Sequence, residues 1–207
     1  GRARTQAAGA QRGTRMSERA TPERIGKYPI IRKLGEGATS EVFLCRDPFN
    51  NREVAVKLVM QDAFNNPEHG KVYKNLFITE ASLAGKLVHP HISQIYDAVA
   101  EEDLHYIVME YVDGGTLEMF CDSQHLLPVE RVVEIVFKCT RALEFAHRMG
   151  ITHRDLKPAN ILYSGETNVK ISDFGAALVA TGDRTQVSAI GSPAYMSPQQ
   201  VKEHPLD

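Results

Sequence analysis

No stretch of this sequence approaches the ~18 consecutive apolar residues that a membrane-crossing helix needs, so no segment of the given chain is expected to span a bilayer. Cysteine is scarce: Cys45, Cys121 and Cys139 are odd in number, far apart and in no CxxC pattern. That argues against a disulfide framework or a cysteine zinc site. It fits a cytoplasmic protein whose thiols serve as small hydrophobes. A basic surplus is lacking as well. The formal charge is −2, and six Arg against two acids in residues 1–24 leave the remainder net acidic. A nucleic-acid surface on the folded part is therefore not expected. Residues 1–24 carry almost no large apolar side chains and no apolar helical face, which predicts a disordered basic tail and argues against a transit peptide. The chain opens on Gly1, with Met16 shortly before the ordered region, so residues 1–15 read as upstream sequence. There is no internal repeat.

The rest is ordinary for a globular protein: 43% hydrophobic and 24% charged over 207 residues, enough to bury a substantial core. Three β-like runs, 29–37, 41–46 and 53–60, are joined by Gly35-Glu36-Gly37 and Asp47-Pro48-Phe49-Asn50-Asn51. Val72, Leu76, Ile78, Leu83, Ala84 and Leu87 then recur at roughly helical spacing, and His89-Pro90 stops that helix. Two more strands follow, 94–100 and 104–112. Five strands are too many for a bundle, and their order is not the alternation of a doubly wound sheet. Beyond Asp113-Gly114-Gly115 the pattern turns helical. Pro128 suits a helix start, and Val129, Val132, Val133, Val136, Phe137, Leu143 and Ala146 predict its buried stripe up to Gly150. The expected fold class is α+β: a five-stranded antiparallel sheet plus one helix in an N-terminal lobe, 25–112, and a mainly helical second lobe, 113–207.

Motifs with chemical meaning begin at Leu34-Gly35-Glu36-Gly37-Ala38-Thr39-Ser40-Glu41-Val42. Glycines between two strands let backbone N–H groups approach phosphates, although a plain hairpin turn reads the same way. The loop leads into a strand rather than a helix, so it is not the dinucleotide fingerprint. Lys57, in Ala55-Val56-Lys57, is either a snorkelling edge residue or a cation for phosphates. Glu80 on the next helix is either solvated or its carboxylate partner.

His153-Arg154-Asp155-Leu156-Lys157-Pro158-Ala159-Asn160, followed thirteen residues later by Asp173-Phe174-Gly175, decides between these readings. From His153 to Gly175 the sequence resembles the eukaryotic-type protein kinase family, and the resemblance extends over about 26–207. GEGATSEV, VMEYVDGGTL and GSPAYMSPQQ are similar to bacterial serine/threonine kinases of the Hanks type.

The resemblance implies a two-lobe fold, ATP and Mg²⁺ as cofactors, and transfer of phosphate to Ser or Thr hydroxyls of protein substrates. It implies catalytic roles for Asp155 as base, Lys157, Lys57 and its partner Glu80, with Asn160 and Asp173 on the metal. Leu34, Val42, Ala55 and Leu162 would sandwich adenine, with Gly35 and Gly37 over the phosphates. Met109 would be the gatekeeper, and backbone groups of Glu110 and Val112 would meet the base. Arg154 would receive a phosphate carried by Thr181, Thr185 or Ser188 after autophosphorylation, which allows self-association.

Three departures stand out. Ser40 replaces a third loop glycine, Gln199 stands where the family has Glu, and the chain ends at Asp207, where the family continues through the rest of its C-terminal lobe. The last makes this a fragment in expectation, poorly folded or inactive alone. The competing expectation is a pseudokinase scaffold that binds nucleotide without transferring phosphate.

Overall fold

The computed structural model describes residues 22–37, 39–101, 103–165, 168–179 and 192–202. The three candidate phosphate acceptors Thr181, Thr185 and Ser188, and most of the tail, lie outside them.

The first sheet takes its form from strands whose alternate residues are apolar. It contains β1 (Arg24–Ile25), β2 (Tyr28–Glu36), β3 (Ser40–Asp47), β4 (Arg52–Val59), β5 (Ile95–Ala100) and β6 (His105–Glu110), in the order β1-β2-β3-β4-β6-β5 and antiparallel throughout. The five expected strands are all present, and the two-residue β1 adds a sixth at the edge, beginning at Arg24. β4 is central. Val54 and Val56 are fully buried in a core with Phe43, Cys45, Tyr106 and Val108, so Ala55 and Lys57 point from the opposite face. A slip of one residue would bury Lys57 and expose both valines, so register is strongly specified. Asp47 closes the β3–β4 turn. Its carboxylate is 4% exposed and accepts hydrogen bonds from the Phe49 and Asn50 amides and the Asn50 side chain.

Two helices follow β4: α1 (Gln61–Phe64) and α2 (Gly70–Ala81). The helix expected to reach Leu87 therefore stops six residues short. Leu83, Ala84 and Lys86 make i→i−3 backbone bonds, and Gly85 adopts φ 70°, so the chain leaves the helix in tight turns. Leu83 and Leu87 remain buried, but in the second core.

That core is organised by α3 (Val129–Arg148), with β7 (Gly115–Thr116), β8 (Ile151–Thr152), β9 (Ile161–Ser164), β10 (Asn168–Ile171) and β11 (Leu178–Val179) forming two small sheets, β10-β9-β7 and β11-β8. The short helix α4 (Pro198–Val201) comes last. The stripe expected on α3 needs correction. Ile135, Cys139, Ala142 and Ala146, spaced 4, 3 and 4, form the buried face. Val129, Val132, Val133, Val136 and Phe137 are exposed. The helix is apolar on two faces, and spacing alone does not tell which one a neighbour covers. Pro128 is the residue before the first turn rather than its first member, because its carbonyl accepts from Arg131 and Val132. Among the described residues no helix is long and apolar enough to cross a membrane. Cys45 and Cys139 are buried, and burial pushes both thiols up to about 11; Cys121 is exposed.

Candidate active site

The cleft is assembled from β4, α2 and the loops on either side of β9 and β10. Lys57 Nζ donates to Glu80 Oε2 at 2.8 Å and to Asp173 Oδ1 at 2.9 Å. Glu80 is 3% exposed and Asp173 about half exposed at its side chain. Burial opposes the charge on Lys57, yet the two carboxylates outweigh it and hold the ammonium above its usual range. Burial also raises the Glu80 carboxyl, with Lys57 pulling against it. Asp173 goes the other way. Burial pushes it up, but Lys57, His153 and Lys157 more than compensate and hold it low.

The next turn explains why the three groups meet. Asp173 sits in the left-handed region, φ 62°, and passes directly into the 3₁₀ turn Phe174–Ala176 against α2. Phe174 is 3% exposed, with its ring 4.6 Å from that of His153. A Cβ on Gly175 would stand 3.2 Å from Glu80 Oε2, so the smallest residue lets the turn lie against the ion pair.

Asp155 is fixed by donors from three directions. Its Oδ1 accepts the Ser192 amide N–H at 2.9 Å. Its Oδ2 accepts from Lys157 Nζ at 3.0 Å and Asn160 Nδ2 at 3.1 Å. Lys157 also donates to Ser192 Oγ at 2.7 Å. With Nδ2 of Asn160 committed to Asp155, its Oδ1 is the atom suited to a metal. That oxygen and the Asp173 carboxylate make a hard donor pair, which fits Mg²⁺, an ion usually held by one or two protein oxygens together with phosphates. Among the described residues no cluster of three or more His, Cys, Asp or Glu forms an all-protein metal cage.

A cavity of about 270 Å³ joins these parts, lined by Gly37, Ser40, Lys57, Glu80, Asp155 and Asp173. A larger one, about 660 Å³, lies between the end of α3 and residues 195–200; neither Lys57 nor Asp155 lines it. On the side of the sheet where the resemblance would place adenine, the register sets Ala55 opposite Met109, Val54 opposite Glu110, and Val42 opposite both Gly35 and Lys57. Leu162 sits on β9 between Thr116 and Lys170, while Leu34 and Val112 are half-buried. The Glu110 N–H donates to Gln94 O at 2.8 Å, and its carbonyl accepts from the Ser93 hydroxyl at 3.4 Å.

Three residues have roles that the sequence reading did not give them. His153, 3% exposed, donates from Nε2 to Ser172 O at 3.0 Å and accepts the Asp155 amide at Nδ1 at 3.2 Å. This fixes one neutral tautomer, in keeping with a pKa that burial lowers. Ser192 bridges Lys157, which donates to its Oγ, and Asp155, which accepts its amide N–H. Gln200 donates to Arg154 O at 2.7 Å and closes a capping box with Ser197. The neutral Gln199 is exposed, so the anchor of this segment is its neighbour. Arg154, in the left-handed region at φ 63°, donates to Ala176 O at 2.7 Å.

Comparison with known proteins agrees with this geometry. The protein kinase domain family matches residues 28–207. The chain is 38% identical over 179 residues to the serine/threonine-protein kinase PrkC of Bacillus subtilis, covering 86% of this chain and 27% of that protein. It is 40% identical over 194 residues to the serine/threonine-protein kinase PknB of Mycobacterium leprae, with 90% and 30% covered. The PknB of Mycolicibacterium smegmatis is likewise 40% identical over 196 residues, with 90% and 31% covered. The chain thus spans less than a third of the length of these curated relatives. Matched by that family over residues 28–207, most of its length, this chain belongs to the protein kinase domain family.

Proposed function

We propose that the protein carrying this chain phosphorylates Ser and Thr hydroxyls of protein substrates, using ATP and Mg²⁺. The observation that carries the reading is the coincidence, in one cavity, of Lys57 bridging Glu80 and Asp173 with an Asp155 carboxylate held by Ser192, Lys157 and Asn160. Asp155 takes the proton of the attacking hydroxyl as its oxygen bonds to the γ-phosphorus and the bond to ADP breaks. Lys157, bonded to Ser192 on one side and Asp155 on the other, places positive charge beside the reacting groups. Lys57 presents its ammonium to the phosphates, and Glu80 keeps it there. Asn160 Oδ1 and Asp173 would hold Mg²⁺, which when bound offsets negative charge on the transferring phosphoryl group. The names of the relatives, all serine/threonine-protein kinases, support hydroxyl acceptors.

Asp155→Asn in the full-length protein tests this. The amide keeps an acceptor for the Ser192 N–H but cannot take a proton. Phosphotransfer to a Ser-bearing protein should fall by about 10²–10⁴-fold while nucleotide binding persists. Retention of near-normal transfer would refute the assignment.

A further inference from the structure

Glu110 begins the segment 110–112 that, by the resemblance, would form the hinge beside the base, and the phosphotransfer reading finds no use for its carboxylate. Lys170 Nζ lies 3.1 Å from its Oε1, and the same Nζ donates to Pro90 O at 2.8 Å. The other oxygen, Oε2, accepts the Gln94 amide at 3.3 Å. Both side chains are largely withdrawn from water, Lys170 at 14% exposed and Glu110 at 26%. The pair is thus unlike the exposed ion pairs that contribute little.

Its position in the fold gives it leverage. Lys170 is on β10, opposite Leu162 of β9 and three residues before Asp173. The next residue, Ile171, bonds through its amide to His91 O and through its carbonyl to the Ser93 amide. That segment ends at Gln94, whose carbonyl takes the Glu110 N–H. The backbone therefore runs from β10 through 91–94 to the hinge, and the Lys170 side chain spans the same path from the other side.

We propose that Lys170 is a positioning residue for nucleotide. By holding the Glu110 carboxylate it fixes the hinge peptide relative to the β9–β10 pair, which carries Leu162 and leads to Asp173. This rests on reading the cleft as a nucleotide site. Without the ammonium, the half-buried carboxylate keeps one amide donor and turns toward water, and the hinge carbonyl turns with it. The effect falls on nucleotide affinity rather than the chemical step, because the pair makes no contact with Asp155 or Lys57.

The test compares full-length wild type with Lys170→Met, Lys170→Arg and the exchanged double variant Glu110→Lys/Lys170→Glu. Direct titration with fluorescent mant-ATP is paired with kcat and KM for ATP. In Lys170→Met, mant-ATP affinity should weaken and KM rise, each about tenfold, a change equivalent to about 1.4 kcal/mol, with kcat nearly unchanged. Arginine at 170 should restore most of the affinity, and the exchange should recover part of it. If Lys170→Met does not fold, Lys170→Gln, which keeps a donor for Pro90, takes its place. Unchanged mant-ATP affinity in the substituted protein overturns the proposal, as does a joint fall of kcat, affinity and melting temperature that arginine fails to rescue. A wild type that binds no mant-ATP overturns the nucleotide reading, and this proposal with it.

Discussion

Replacing Lys57 by Met should destabilise the domain in a way that depends on pH, and its size follows from the burial of Glu80. The carboxylate is 3% exposed, and Lys57 is its partner at 2.8 Å. Removing one member of a buried pair typically costs about 3–5 kcal/mol, because the charge left behind is uncompensated. Glu80 has an escape, which is to take up a proton. For a carboxyl with an ordinary pKa near 4.3, protonation at pH 7.5 costs about 4 kcal/mol and at pH 5.5 about 1.6 kcal/mol. The deficit of Lys57→Met relative to wild type should therefore be about 3–4 kcal/mol at pH 7.5 and fall below about 2 kcal/mol at pH 5.5. The sign is consistent with linkage: a carboxyl raised in the folded state loses stability as pH rises through the interval between its unfolded and folded values. At about 2–4 °C per kcal/mol for a domain of this size, the transition at pH 7.5 drops by about 10 °C. Calorimetry of the full-length protein, following the transition that nucleotide shifts in wild type, reads both numbers. Adding Glu80→Gln should flatten the pH dependence and recover stability without recovering phosphotransfer. A deficit below about 1 kcal/mol, or one that does not change with pH, would show that Lys57 and Glu80 do not form the pair described.

His153 supplies a second pH effect. Burial holds its ring below the usual imidazole range, so its stabilising contribution is complete above the unfolded value of about 6.5 and is lost as pH falls through the folded one. Melting temperature should drop on acidification, with a shallower slope in His153→Gln; equal slopes would rule the residue out as the source. His89, also lowered by burial, acts in the same direction and adds to the slope that survives the substitution. Gly175→Ala places a Cβ 3.2 Å from Glu80 Oε2, which should cut phosphotransfer by about tenfold or more through displacement of the ion pair. Full activity in that variant would show that the turn has room to spare.

The sequence showed which residues gather in the cleft more clearly than how the helices pack. Asp155, Lys157, Asn160 and Asp173 were legible because they are short-range: a loop motif and a tripeptide at fixed spacing. Strand ends came within two residues of their places because alternation along β4 and its neighbours has only one register that buries Val54 and Val56. The end of α2 was missed because Leu83 and Leu87 continue its apolar rhythm while belonging to a different core. The face of α3 was misread for a related reason. Only Ala146 of the expected residues is fully buried; Ile135, Cys139 and Ala142 share its face, where small side chains let β8 and β10 approach. Ser192 and Gln200 act through contacts 37 and 46 residues away in the chain, distances over which local pattern is silent. His153 was in view within its motif, but the tautomer that gives it a role depends on Ser172.

The unequal burial of the three cysteines has a practical consequence. Thiol reagents attack the thiolate, so Cys45 and Cys139, enclosed and with pKa values pushed up to about 11, should resist modification in the folded protein. Cys121 lies just past the 3₁₀ turn Leu117–Phe120, on the surface of the second lobe. Within this chain the wild-type sequence thus provides a single addressable thiol. A maleimide dye there could follow movements between the lobes without any engineered substitution, and the appearance of the other two thiols would mark the moment at which the cores open.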